Sequence, residues 1–393
     1  MSVIVPPGKR RILFVDDDSA ILNGLQNLLF RDRKRWDMVF ALGGAKALEE
    51  LRARPFDVVV SDMRMPGIDG AALLGIVKQE FPGTVRIILS GHAEREAIVR
   101  ALPAMHQFLS KPCDPDRLRA AIDRCLDLVG QPSNDVRALI GRLDKLPSPP
   151  AIYIELSHLA GDPNATIDAV SKVVMRDPAV AAKVLQLANS AAFGASRKVT
   201  DLGQAVSYLG TELLKCLALT STVFAPTTRA TAAGFSLEEM QARALRTASF
   251  ARRIVRERKD ADAAFAAALL HDIGETMLAT GLPEGYAKLR ADVRESGEPV
   301  IIAERRELGA THADIGGWLL AMWGLPQNLV DVVAHHHEPL GAPAAVQEIA
   351  AIVHVADALV DTPEHGASLI DQPFLTSLGL ADRLPAWTEL ARE

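Results

Sequence analysis

The chain has 393 residues, of which 49% are hydrophobic and 23% are charged. This composition excludes an intrinsically disordered chain, and the length exceeds one ordinary core, so we expect two or three folded domains. The formal net charge of -6 gives no general attraction to phosphate backbones, and no nucleic-acid partner is expected. No apolar run approaches the ~20 residues of a membrane-spanning helix, which predicts a cytoplasmic protein without a membrane partner.

The first third of the chain alternates short apolar segments with amphipathic ones. The apolar segments are typical of strands, and they read RILFV, MVFAL, FDVVVS, VRIILS and HQFLS. Five strands alternating with five helices predict an α/β domain, in which a doubly wound, five-stranded parallel sheet is covered on both faces.

Polar residues follow four of these predicted strands at the point where each strand ends. In chain order they are Asp16 and Asp17, Asp62, Ser90 and Lys111. Ligands bind at the carboxyl edge of such a sheet, so we expect these side chains to converge. Three carboxylates together require a hard cation such as Mg²⁺. One carboxylate can then form an acyl phosphate, whose charge the cation and the lysine offset.

These residues lie in the segments VDDD, SDMRMPGIDG, LSGH and FLSKP. As a set, the segments resemble the flavodoxin-like receiver domain of two-component response regulators, over residues 9–128. The resemblance implies that Asp62 is the phosphoacceptor and that a histidine kinase is the partner. It also implies that Mg²⁺ is held by Asp16, Asp17, Asp62 and the backbone carbonyl of Arg64.

The same resemblance assigns roles to three further residues. Ser90 is the hydroxyl switch residue, and Lys111 contacts the phosphoryl group. Phe108 stands where the family carries its aromatic switch residue, and because its ring has no hydroxyl it would act through burial alone. Receivers often pair through their last two helices, so a homodimer is expected.

After the first domain, the turn-rich segments GQPSND and DKLPSPP bracket a short helical pattern. They predict a linker over residues 129–150. Strand signals then end, and long helical patterns predict an all-α domain over residues 151–393. The segment after Gly366 is expected to be helical but carries no motif.

Histidines and carboxylates recur within the all-α domain. LLHDIGETML contains an adjacent His-Asp pair, and the candidate ligands are His271, Asp272, His312, His336, His337 and Asp357. Imidazole and carboxylate groups suit transition metals, and two such ions in one site can drive phosphodiester hydrolysis.

These segments resemble the HD superfamily of metal-dependent phosphohydrolases. The stretches DPAV, KVLQLANSA and AVSYLG are similar to its relative, the HDOD (HD-related output) domain, over about residues 143–355. Catalytic HD enzymes carry another histidine on the helix before the HD pair, whereas LEEMQARALRTASFARRIVRERKD contains none and has Thr247 near that position. Related HD-GYP enzymes have a lysine where this chain has Glu275, and no Gly-Tyr-Pro signature follows HHHE.

Three interpretations of the all-α domain stay open. The first is a working metallohydrolase that acts on a nucleotide or cyclic dinucleotide. The second is a degenerate site for a single transition metal, built from His271, Asp272, His312, His336 or His337, and Asp357. The third is a polar cluster that only connects helices, and we favour it because losing an inner ligand severely weakens metal binding.

The resulting hypothesis is a response regulator. Phosphorylation of Asp62 shifts the receiver between conformations, and the linker passes this shift to the HDOD domain. A non-catalytic HDOD domain then exposes or hides a surface for a downstream protein or signalling nucleotide. The competing hypothesis is a receiver-gated HD phosphohydrolase.

Overall fold

The computed structural model describes residues 9–90, 101, 104–111, 113–130, 149–189, 199, 201–223, 236–360, 370 and 372–392. Within these ranges the chain forms two compact units. The first contains a sheet, its flanking helices and the helix Ala151–Ala160, and the second contains most of the helices from Ile167 onward.

The first unit is built on a five-stranded sheet of order β2-β1-β3-β4-β5, and every strand pair is parallel. The strands are β1 (Arg10–Asp16), β2 (Trp36–Leu42), β3 (Val58–Asp62), β4 (Val85–Ser90) and β5 (Gln107–Ser110). The helices described in this unit are α1 (Ser19–Leu28), α2 (Gly44–Ala53), α3 (Gly70–Glu80), α4 (Pro115–Gly130) and α5 (Ala151–Ala160). A 3₁₀ turn spans Phe30–Lys34.

This architecture confirms the predicted doubly wound parallel sheet. The strands β3 and β4 are buried along their whole length, because both faces of a central parallel strand are covered. In register, Asp62 pairs with Leu89, and Ser90 pairs with Ser110. The carboxyl ends of neighbouring strands are therefore level at one edge. The predicted helix between β4 and β5 and most of the predicted linker lie outside the described residues.

In its described residues, the second unit contains helices and 3₁₀ turns and no strand, which confirms the predicted all-α domain. Its first helices are α6 (Ile167–Met175), α7 (Pro178–Ala188), α8 (Leu202–Val223), α9 (Leu237–Ile254), α10 (Ala261–Leu270), α11 (Ile273–Gly281) and α12 (Pro283–Ser296). They are followed by α13 (Val300–Leu308), α14 (His312–Met322), α15 (Gln327–Ala334), α16 (Gln347–Val360), α17 (Gln372–Ser377) and α18 (Leu384–Leu390). The 3₁₀ turns span Arg258–Asp260, Pro339–Gly341 and Ala381–Arg383.

Helix α10 lies at the centre of the second unit. Its sequence ADAAFAAALL is apolar on almost every side, as expected of a helix that neighbours surround. It packs against α9, α15 and α16, and it ends immediately before His271. Among the helices that the structure describes, none has both the length and the apolar character that a membrane crossing requires.

Two glycines allow backbones to approach closely beside candidate site residues. A Cβ on Gly70, the first residue of α3, would lie 2.2 Å from the backbone oxygen of Asp62. A Cβ on Gly274 would lie 1.9 Å from the backbone oxygen of His312. These contacts fix the end of β3 against α3, and α11 against α14.

Replacing Gly70 with Ala should lower the free energy of unfolding of the first unit by about 1–3 kcal/mol, because the new methyl group overpacks the contact. Urea denaturation of the full chain measures the loss. Gly75→Ala on the same helix is the matched control, since its Cβ would meet no atom within 4 Å. This control should stabilise the helix by roughly 0.5–1 kcal/mol. Equal effects of the two substitutions would contradict the close approach.

Replacing Gly274 with Ala should destabilise the second unit by about 3 kcal/mol, at the upper end of overpacking effects, because backbone atoms stand in the way. Thermal unfolding followed by far-ultraviolet circular dichroism measures the change. Gly285→Ala in α12 is the control, because its Cβ would also meet no atom within 4 Å. A Gly274→Ala protein as stable as the wild type would show that α11 and α14 are further apart.

Candidate functional site

The carboxyl edge of the sheet brings together three of the predicted site residues. Asp16 and Asp62 end the neighbouring strands β1 and β3, and both are buried. Lys111, directly after β5, donates from Nζ to Asp16 Oδ2 at 3.1 Å and also to Asp62 Oδ1. One ammonium group therefore bridges two carboxylates.

Backbone N–H groups hold the other oxygen of each carboxylate. The N–H of Asp18 donates to Asp16 Oδ1 at 2.9 Å, and the N–H of Arg64 donates to Asp62 Oδ2 at 2.6 Å. Each carboxylate thus has one oxygen on the backbone and one on the lysine, which fixes its orientation. Asp17, the next residue after β1, is exposed.

The bridging lysine balances the charge at this edge. Burial and the charge of Asp16 raise the pKa of the Asp62 carboxyl, although the hydrogen bond from Lys111 opposes this rise. Burial alone would lower the pKa of Lys111, but the hydrogen bond and charge of Asp62, together with Asp16, outweigh burial and raise that pKa. The ammonium form of the lysine is therefore the stable one.

The two predicted switch residues lie on the neighbouring strands. Ser90 ends β4 and is fully buried, and its backbone carbonyl accepts a hydrogen bond from the N–H of Lys111 at 2.7 Å. Phe108 lies in β5, in register with Ile88. The prediction about its ring falls on a side chain outside the described part of the structure.

In the second unit, the predicted HD residues converge where α10 ends. His271 follows α10, Asp272 precedes α11, and Asp357 lies on α16. His271 Nε2 lies 3.0 Å from Asp272 Oδ2 and 3.0 Å from Asp357 Oδ1. Its Nδ1 donates to the carbonyl oxygen of Ala268 at 2.7 Å, which orients the ring.

Arg243, which the sequence analysis did not select, completes this group from α9. It donates from Nη1 to Asp272 Oδ2 at 2.7 Å and from Nη2 to Asp357 Oδ1 at 2.6 Å. Thr247, near the expected catalytic histidine, is one turn further along α9, and its buried hydroxyl has no hydrogen-bond partner among the described residues. The four-residue spacing, which places both residues on one helical face, is the signal that could have identified Arg243.

A second group lies on the other oxygen of Asp272. His312 Nε2 is 3.4 Å from Asp272 Oδ1 and 3.0 Å from His337 Nε2. His336 donates from Nδ1 to the carbonyl oxygen of Val333 at 2.7 Å, which leaves a lone pair on Nε2. This buried Nε2 has no hydrogen-bond partner in the described residues and lies 3.8 Å from Asp272 Oδ1.

Glu304, also absent from the sequence prediction, holds His312 in place. Its Oε2 accepts from both the backbone N–H and Nδ1 of His312, each at 2.8 Å. Its Oε1 accepts from the hydroxyl of Tyr286 at 2.8 Å. A buried carboxylate that orients an imidazole in this way is typical of the support around metal-binding histidines.

The electrostatics divide the histidines into two kinds. Burial and the charges of neighbouring histidines lower the pKa of His336 well below its usual value and the pKa of His337 to about 4. Both rings are therefore neutral, which is the form that binds metals. Burial would also lower the pKa of His271, but the charges of Asp272 and Asp357 outweigh it and raise that pKa to about 10.

The two groups differ in how well they fit a metal ion. Around Nε2 of His336, donor atoms of Asp272, His312, His336 and His337 lie within 4.8 Å of one another. The unpartnered lone pair on that nitrogen fits a single transition metal. Between His271, Asp272 and Asp357, by contrast, the guanidinium of Arg243 already contacts both carboxylates.

The cluster opens into a cavity of about 630 Å³ within the second unit. Its wall includes Arg243, Arg246 and Arg290 together with Glu275, whose Oε1 accepts from Arg290 at 2.7 Å. This volume lies within the range of pockets that hold small ligands.

Comparison with known proteins finds two families along the chain. The family described as response regulator receiver domain matches residues 12–123. The HDOD domain family matches residues 146–339.

Individual relatives match parts of the chain. An uncharacterized protein of Treponema pallidum (strain Nichols) is 25% identical over 243 residues, which are 61% of this chain and 47% of that protein. The DNA-binding transcriptional regulator NtrC of Escherichia coli (strain K12) is 32% identical over 164 residues, which are 33% of this chain and 32% of NtrC. The chain thus spans about a third to a half of the length of these curated relatives.

A solved structure from Shewanella amazonensis SB2B, provisionally named a phosphohydrolase, resembles the helical part. It is 25% identical with a TM-score of 0.50, and the match covers 65% of this chain and 93% of that protein. The order of the two family matches agrees with the order of sheet and helices in the structure. The chain therefore joins an N-terminal receiver domain to an HDOD domain.

Proposed function

We propose that a histidine kinase phosphorylates Asp62 and that this switches a non-catalytic HDOD domain between states that bind and release a downstream partner. The observation that carries the proposal is the bridge from Lys111 to Asp16 and Asp62 at level strand ends. Two carboxylates and a positive charge at one edge of the sheet support the proposal, because phosphoryl transfer needs a nucleophile and a cation that offsets the phosphoryl charge.

In the proposed transfer, a carboxylate oxygen of Asp62 attacks the phosphorus atom of a phosphohistidine. The phosphorus–nitrogen bond breaks, and the imidazole of the kinase leaves with the electron pair. The N–H of Arg64 holds one carboxylate oxygen during this step. Lys111, already bound to the other oxygen, offsets the charge of the incoming phosphoryl group.

We propose that Mg²⁺ binds at the same edge and neutralises phosphoryl charge. Its ligands would be the carboxylates of Asp16, Asp17 and Asp62 and the backbone carbonyl of Arg64. The convergence of Asp16 and Asp62 supports this set, because oxygen donors suit a hard cation. The exposed Asp17 follows Asp16 in the chain and would complete the shell.

Ser90 and Phe108 are the proposed switch residues. Ser90 ends β4 next to the backbone of Lys111, and this position supports a hydrogen bond from its hydroxyl to a phosphoryl oxygen. A population shift of the receiver then follows from contacts that only the phosphorylated state makes. Phe108 would report that shift through burial of its ring.

The proposal that the HDOD domain is non-catalytic is supported by Thr247, near the position of the catalytic histidine that is missing from α9, and by the contacts of Arg243. Its guanidinium contacts the carboxylates of Asp272 and Asp357, which a two-ion hydrolase would need for a metal.

We place the receiver at residues 9–128, the linker at 129–150 and the output domain at 151–393. The downstream partner is a protein or a signalling nucleotide, and the protein acts in the cytoplasm as a homodimer without nucleic acid.

Asp62→Asn should abolish phosphorylation by the small donor acetyl phosphate in the presence of Mg²⁺, because an amide is not a nucleophile toward phosphorus. Intact-protein mass spectrometry measures the added phosphoryl group. Asp37→Asn on β2 is the control, since this exposed carboxylate pairs only with Arg11 in the described contacts and should leave the yield unchanged.

The same variant tests the switch. Proteins captured by the full-length wild type, with and without acetyl phosphate, should differ, whereas those captured by Asp62→Asn should not respond to the donor. A phosphoryl group on the Asp62→Asn chain, or capture that ignores phosphorylation, would overturn the proposal.

A receiver-gated phosphohydrolase is the second candidate, and the donors around His336 favour it. We expect the purified chain with added Mn²⁺ to hydrolyse no cyclic dinucleotide, because Arg243 occupies half of the cluster. Chromatography of the products measures turnover. Turnover that disappears in His271→Ala but persists in His335→Ala would favour the enzyme instead.

A further inference from the structure

We infer that Arg243 takes the place of a metal ion in the HD cluster and that its guanidinium is a built-in cation between His271, Asp272 and Asp357. This inference deepens the proposed function, since it rests on the output domain being non-catalytic. It gives a physical reason why the output domain is non-catalytic. The HD resemblance implies a metal ion at this position, but the residues present do not fit one.

The geometry around the guanidinium resembles that of a ligand shell. Nη1 lies 2.7 Å from Asp272 Oδ2 and 3.5 Å from His271 Nε2, and Nη2 lies 2.6 Å from Asp357 Oδ1. His271 Nε2 is itself 3.0 Å from each of those carboxylate oxygens. Two oxygens and one imidazole nitrogen therefore surround the position, as three protein ligands surround a transition metal in many sites.

The chemistry of arginine keeps a positive charge at this position under all physiological conditions. A guanidinium stays protonated at every physiological pH, and its fork of N–H groups can serve two carboxylates at once. Arg243 reaches the cluster from α9 along the wall of the 630 Å³ cavity, with 32% of its side chain exposed. A bulky cation at this point blocks the approach of a metal ion and neutralises the charge that would attract one.

The charges around this position agree with a cation there. Asp272 Oδ2 and Asp357 Oδ1 both accept hydrogen bonds from the guanidinium of Arg243, whose positive charge offsets the two carboxylates. Without Arg243, the two carboxylates would lose this charge, and a divalent cation could enter between them.

Arg243→Met keeps the length of the side chain and removes its charge, so it should open the site. The full chain, stripped with a chelator, is equilibrated with Mn²⁺ and its bound metal is counted by elemental analysis. We expect this variant to bind one more Mn²⁺ ion per chain than the wild type. Its affinity for Mn²⁺ at this position should be at least ~10-fold higher than that of the wild type. Adding His271→Ala should remove the gain, because His271 Nε2 faces this position.

Two control variants distinguish the loss of the Arg243 charge from a general disturbance of the packing around the cavity. Arg243→Lys keeps a positive charge and should bind no more Mn²⁺ than the wild type. Arg246→Met removes the other arginine that α9 contributes to the cavity wall, and it should also leave the count unchanged. Any ion held by the group around His336 is present in all these variants and cancels in the comparison.

The inference is overturned if Arg243→Met retains wild-type helical content and gains no ion. It is equally overturned if the wild type already holds an ion that His271→Ala removes. Should Arg243→Met not fold, Arg243→Gln, which keeps a hydrogen-bonding group, gives the same measurement. Hydrolysis by the wild type would instead contradict the proposed function, and missing phosphorylation of Asp62 would contradict only the receiver part of it.

Discussion

Carboxylates that share a site repel one another, and two ionised carboxylates converge when a positive charge lies between them. At ~4 Å and an effective dielectric constant of ~20, two unit charges interact by about 4 kcal/mol, which is a large part of the stability of a domain. The receiver satisfies this constraint with Lys111 between Asp16 and Asp62. The HDOD domain satisfies it with Arg243 between Asp272 and Asp357.

The two cations suit different tasks. The ammonium of Lys111 is a point charge on a flexible stem, which suits the proposed transfer because it could follow a phosphoryl group bound to Asp62. The guanidinium of Arg243 is a rigid fork that fits two fixed carboxylates and leaves no position between them. The same electrostatic requirement therefore accounts for the lysine bridge in one unit and the arginine bridge in the other.

The sheet and its edge could be predicted from the sequence because each relevant residue ends a strand. The order of apolar segments fixes the strands, and parallel strands bring Asp16, Asp62 and Lys111 to one edge whatever their spacing in the chain. The residue types then indicate the chemistry. This reasoning needs no knowledge of how side chains pack.

The sequence predicted the histidines and aspartates of the helical cluster, but it did not predict the arginine that offsets their charge. The motifs identified His271, Asp272 and Asp357, yet Arg243 lies 29 residues before Asp272 and 114 before Asp357. Its spacing from Thr247 places Arg243 on the same face of α9, but this spacing does not identify two distant carboxylates as its partners, since most arginines on helices face solvent. Glu304 was missed for the same reason, because its contact with His312 depends on how α13 and α14 meet.

The close approach at Gly274 was likewise invisible in the sequence. A glycine within HDIG could serve a turn, a cap or a contact, and only the packed helices show that it admits the backbone of His312. This contact fixes the distance between the His-Asp pair and the remaining histidines. The packing of α11 on α14 is thus as much a part of the site as the side chains.

A cation that is part of the polypeptide differs from a bound ion in one further respect. It is synthesised with the chain, so iron starvation, zinc excess or oxidants that strip metalloproteins cannot remove it from beside Asp272 and Asp357. The core of the output domain would then stay folded at any concentration of metal ions in the cell. Under the proposed function, the response of this domain would depend on phosphorylation of Asp62 and would be independent of metal supply.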